Sequence, residues 1–101
     1  IDYQDGKMTK ITLLCWQEIP SVVEARDGPK KHKIELSLRF QELIDLVAMR
    51  RKLDGSDDYL LHWVKEKQPD SDEAPEQAAA NLAAEIEAKY DDIKAAAIAK
   101  N

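Results

Sequence analysis

The chain's one cysteine, Cys15, and its two histidines, His32 and His62, are its only soft metal ligands. They do not stand at a ligand spacing such as Cys-x-x-Cys or His-x-x-x-His. Cys15 lies inside an apolar run, where a thiolate is costly, so it reads as a small buried side chain rather than a nucleophile. His62 beside Trp63 reads as a surface or rim residue. A Cys15–His62 pair across adjacent strands is a conceivable but disfavoured nucleophile and base. Asp45, Asp54, Asp57 and Asp58 cluster around one helix end and the turn after it, but without the Asp-x-Asp-x-Asp-Gly spacing and distant Glu of a calcium loop. Helix termination and capping by Asp57 account for them better than a cation does. The three glycines lie far apart, which rules out a glycine-rich phosphate loop. No catalytic residue, metal or cofactor is assigned from these residues.

Binding candidates are richer. Arg39, Gln41 and Asp45 share a helical stretch and could hold an anionic or amide group, although such residues more often form a local ion-pair network. Trp16, Tyr59 and Trp63, flanking Pro20 and Gly55, could line a groove for a partner or small ligand; the alternative is anchorage of a small core. Lys30-Lys31-His32-Lys33 and Arg50-Arg51-Lys52 are basic clusters that could grip phosphate. A solvated hairpin tip and a helix end matched to its dipole explain both without nucleic acid. The candidate binding set is therefore Trp16, Arg39, Gln41, Asp45, Arg50, Asp57, Tyr59 and Trp63.

The elements that must position these residues follow from pattern. Lys10–Gln17 mixes β-branched, aromatic and apolar residues and predicts a strand, central or covered on both sides. Glu18-Ile19-Pro20-Ser21 breaks the run. Val22–Arg26 and His32–Ser37 predict a hairpin across the Asp27-Gly28-Pro29 turn. Phe40, Leu43, Ile44 and Val47 share one face of a helix over 38–53, with Ser37 as N-cap and Gly55 as the stop. Residues 57–65 fit a short helix or a fourth strand, and their aromatic and β-branched content favours the strand. Pro69–Pro75 predicts a mobile acidic linker. Residues 76–99 predict one Ala-rich helix with a thin stripe of Ala79, Leu82, Ile86, Tyr90, Ile93 and Ala97, able to bury little by itself. Residues 1–7 are set apart as an extension, native or a cloning remnant. The fold class expected over 8–101 is α+β. An antiparallel sheet of three or four strands carries two helices on one face, in the order β-β-β-α-β-α.

At 101 residues the chain suits a single domain. Its formal charge is −5, with 44% hydrophobic and 35% charged residues, which excludes collagen-like and wholly disordered chains. Residues 8–67 balance to +1, whereas 68–101 carry −5. The acidic C-terminal third argues against nucleic acid as the principal partner. No apolar run approaches the ~20 residues of a membrane span, and no signal-peptide pattern opens the chain. A cytoplasmic protein without membrane contact is expected.

One string of residues is distinctive: Arg39-Phe40-Gln41, Ile44-Asp45, Ala48-Met49-Arg50, Gly55-Ser56-Asp57, Tyr59-Leu60 and Trp63, with Trp16-Gln17-Glu18-Ile19-Pro20 upstream. It resembles the small bacterial domain family labelled virulence factor, over about residues 8–98. The resemblance implies association with conserved virulence proteins, in which the domain also occurs fused to others, and it implies no reaction. The reading that follows is a non-enzymatic interaction or accessory domain that docks onto another protein, with self-association through the C-terminal helix as a further possibility. The alternatives are an accessory or small-molecule-binding subunit in folate- and corrinoid-linked one-carbon metabolism, and weak nucleic-acid binding through the basic clusters.

Overall fold

The computed structural model describes residues 8–100; residues 1–7, expected to form an extension, lie outside the described residues. Strands β1 (Thr9–Trp16), β2 (Ile19–Asp27) and β3 (Lys30–Glu35) are followed by helices α1 (Leu38–Arg50) and α2 (Ser56–Leu61). Strand β4 (Trp63–Ser71) and helices α3 (Pro75–Ala88) and α4 (Tyr90–Lys100) complete the order. The strands form one antiparallel sheet, β3-β2-β1-β4, so β1 is central.

Two short loops shape the β1–β2–β3 meander. Gly28, at φ +60°, takes the left-handed position before Pro29, as the turn signal predicts. Between β1 and β2, Gln17 takes the same kind of position at φ +52°, where glycine is the usual occupant. The chain turns at Gln17-Glu18, earlier than the break expected at 18–21. Pro20 lies inside β2 because the ladder is irregular there: Leu14 pairs with Val22 but Cys15 with Pro20, leaving Ser21 as an extra residue. A bulge tolerates a residue with no N–H to donate.

Ile11, Leu13, Val23, Ala25 and Ile34 share one sheet face by register, and α3 packs across β1, β2 and β3. It contributes Ala78, Ala79, Ala83 and Ile86 to the same core. Alanine keeps the helix close to the sheet, so the thin stripe is integral to the core rather than marginal. Helix α1 buries Phe40, Leu43, Ile44, Val47 and Ala48 and packs against β2 and α4. It ends at Arg50, earlier than the expected 53, because Lys52 enters the left-handed region at φ +60°. Leu53 N–H then bonds the Ala48 carbonyl at 2.7 Å and Lys52 N–H that of Met49 at 3.1 Å, a Schellman closure. The stop is therefore Lys52, not Gly55.

Three further expectations are corrected. The segment 57–65 divides into α2 and the start of β4. Gly55 is extended at the N-cap, and Asp57 and Asp58 occupy the first turn, where carboxylates suit the helix dipole. The fourth strand instead runs through Trp63–Ser71, so the acidic linker narrows to 72–74. That strand was hidden because an edge strand carries charge and proline as protection, here Lys65, Glu66, Lys67 and Pro69. The single helix over 76–99 is broken at Lys89, at φ −99° and ψ 10°.

Candidate functional site

Trp16 closes β1 and is fully enclosed, with 0% exposure. Strict alternation would place it with Thr12 and Leu14; the twist added at the bulge, together with α2, encloses it. Its indole N–H donates to the Tyr59 carbonyl at 2.8 Å, and its ring stacks on Tyr59 at 5.7 Å between centroids. Trp63 meets Tyr59 edge-on at 6.0 Å. Gln41 of α1 completes the set, its amide donating to the Tyr59 hydroxyl and to Asp45 Oδ1, both at 3.0 Å. Five of the eight candidates, Trp16, Gln41, Asp45, Tyr59 and Trp63, thus converge where α1 and α2 meet the end of β1. The convergence is an anchor for α2 rather than an open groove.

The other three lie elsewhere. Asp57 serves the first turn of α2. Arg39 binds the α3–α4 corner: its guanidinium donates to the Glu87 carbonyl at 2.8 Å and to Glu87 Oε1 at 3.0 Å, and lies 4.3 Å from the centroid of the Tyr90 ring. Glu87 also accepts from Ser37 N–H at 2.6 Å and Ser37 Oγ at 2.8 Å. Ser37 does hold the N-cap position, but its hydroxyl is given to Glu87 instead of to the helix. Desolvation alone would raise the Glu87 carboxyl, yet the donors from Ser37 and Arg39 outweigh it and hold the group below its ordinary range.

Arg50 lines a cavity of about 670 Å³, together with Gln17, Glu18, Arg51, Glu66 and Lys100. Arg51 organises this place. It forks onto Glu18 at 3.0 and 2.7 Å, donates to Gln17 Oε1, and reaches the Ala97 carbonyl of α4 at 3.1 Å. Gln17 is further held by His62, through its own N–H to the His62 carbonyl at 2.9 Å and a side-chain contact of 3.1 Å to Nδ1. These bonds keep a non-glycine residue in the left-handed region. The hydrogen bond from Arg51 is the main cause holding the Glu18 carboxyl below its ordinary value, and it pushes the Arg51 guanidinium further up. Sequence reasoning missed Gln17, Glu18, Glu66 and Lys100 and took Arg51 for a dipole-matched helix end. A glutamine in a glycine position leaves no mark in the sequence, so no local signal could have singled out Gln17.

Cys15 is buried, and burial first, then the nearby Glu66 charge, pushes its thiol up to about 11. His62 instead packs its ring 5.7 Å from that of Trp16 and binds Gln17. Among the described residues no group of three or more His, Cys, Asp or Glu is arranged to hold a metal ion, and no helix is long and apolar enough to cross a membrane.

Among the described residues, no helix covers the opposite sheet face. Thr12, Leu14 and Val22 lie half-buried at its centre, in a shallow depression of about 250 Å³ rimmed by Glu24, Lys33, Glu35 and Lys65. No curated protein and no solved structure matches the chain. A family model described as Virulence factor matches residues 14–98.

Proposed function

The chain belongs to the virulence factor family, and from that premise we propose that it is a non-enzymatic domain that docks onto another protein. The observation that carries this reading is the open sheet face. Three half-buried side chains, Thr12, Leu14 and Val22, sit at the centre of a four-stranded sheet with charged residues around them. An apolar centre with a polar rim is the anatomy of a protein interface. The residues with the greatest chemical capacity support the same reading, since each is used to hold the fold. Trp16 and Tyr59 anchor α2, Arg39 and Glu87 lock α1 to α3, and Arg51 ties the β1–β2 loop to α4. Cys15 is held as a neutral thiol.

Amine-reactive crosslinking of the full chain in its native cells, followed by capture and mass spectrometry, tests this. The expected result is one protein crosslinked through Lys10, Lys33, Lys65 or Lys67. Recovery of a folate or corrinoid bound to the chain, with no protein crosslinked at these lysines, would overturn it.

A further inference from the structure

We propose that the open sheet face is a docking site for an acidic protein segment, recognised by cations that the strand register collects there. The inference deepens the docking function proposed above and rests on it. Pairing places Lys10, Arg26 and Lys31 in one row across three adjacent strands. The next row is Lys67, Thr12, Glu24 and Lys33, and the third is Lys65, Leu14, Val22 and Glu35. Six cations thus share a face with three carboxylates, Glu24, Glu35 and Asp70, the last meeting Lys10 at the β4 edge at 2.8 Å. The chain as a whole carries −5, so this face has the opposite sign to the molecule.

In the first row Asp70 offsets Lys10, but Arg26 and Lys31 stand directly opposite one another, and like charges so placed on neighbouring strands destabilise a sheet. Carboxylates from outside would relieve it. The lattice also has a peptide's dimensions: neighbouring strands stand about 4.8 Å apart, and same-face residues along a strand about 6.8 Å, the repeat of alternate side chains in an extended segment. A phosphate backbone suits the face less well. Its centre offers Thr12, Leu14 and Val22 rather than aromatic rings on which bases stack. Glu24 and Glu35 would repel a continuous polyanion, whereas a mixed segment can place aliphatic side chains between its carboxylates.

The test uses a fluorescein-labelled peptide alternating glutamate with leucine, titrated with the full chain and followed by anisotropy. Binding should perturb amide shifts in β1–β4 and weaken as salt shortens the screening length. A Lys33→Glu/Lys67→Glu variant should lose affinity about tenfold or more. Lys94→Glu on α4 should bind as the parent does. If the double reversal fails to fold, Lys33→Gln/Lys67→Gln takes its place, with a smaller loss expected. Failure of the parent to bind, equal binding by the charge variant, or preference for labelled single-stranded or duplex DNA over the peptide would each overturn the proposal. Crosslinked capture separates it from the broader reading. A native partner retained by the charge variant leaves the docking function standing and removes the acidic-segment site; no captured protein at all removes both.

Discussion

At the scale of single residues, several side chains are bound to backbone conformations or partners that composition does not reveal. Lys52 holds a left-handed position that glycine adopts without strain, and its side chain makes no hydrogen bond or ion pair among those described. Lys52→Gly should therefore raise stability by up to about 1 kcal/mol, read from the midpoint of urea unfolding at unchanged slope. Gln17 is the contrasting case, because its side chain is engaged by Arg51 and His62. Gln17→Gly relieves the backbone but releases those bonds, and should give no comparable gain. Cys15, with its thiol up at about 11, should react with a thiol reagent at pH 8 only as fast as the protein opens. Cys15→Ser should cost about 1–3 kcal/mol, since a hydroxyl buried there needs a partner. Reaction at the rate of a free thiol in the folded protein would contradict the burial argument.

At the scale of elements, the two C-terminal helices differ in what they hold. Helix α3 places Ala78, Ala79, Ala83 and Ile86 in the core and contacts three strands, whereas α4 fully buries only Ala97. Hydrogen exchange should show α4 opening well before α3, with α3 amides protected to nearly the same extent as those of β1 and β2. Truncation after Lys89 should leave a folded protein of lower melting temperature. Truncation after Asp72 should abolish cooperative unfolding, because it uncovers Ile11, Val23 and Ala25 together. A cooperative transition retained by the shorter form would show that α3 is dispensable.

At the scale of the whole molecule, two carboxylates bridge parts of the chain distant in sequence. Glu87 joins α3 to the start of α1, and Glu18 joins the β1–β2 loop to the end of α1. Both are held below the ordinary value of 4.5, Glu18 chiefly by the Arg51 hydrogen bond and Glu87 by donors from Ser37 and Arg39 that outweigh its desolvation. A carboxyl lowered in the folded state contributes stability above its unfolded pKa and loses it as pH falls through the folded one. Stability should accordingly be level near neutrality and decline below about pH 4.5. Glu18→Gln and Glu87→Gln should each be less stable at pH 7, and the difference from the parent should narrow toward pH 3, as measured by thermal melts across that range. A gap that stays constant with pH would show that charge is not what these bridges contribute.

Features that depend on local pattern could be read from the residues alone. The apolar run of β1, the Asp27-Gly28-Pro29 hairpin and the Phe40–Val47 helix face were legible because side-chain periodicity and turn chemistry act over a few residues. The family string of Arg39, Ile44 and Gly55–Trp63 was legible for the same reason, and the match over 14–98 agrees with it. Tertiary structure alone decided the rest. Strand β4 has no apolar alternation of its own and exists by pairing with β1, so Lys65 and Lys67 became strand residues only when that partner was present. Trp16, Arg39 and Arg51 were recognisable as capable side chains. Their commitment to Tyr59, Glu87 and Glu18 follows from contacts spanning 43, 48 and 33 residues. The gathering of Lys10, Arg26, Lys31, Lys33, Lys65 and Lys67 on one face likewise depends on register, which no single strand specifies, because a slip of one residue would send each of them to the other side.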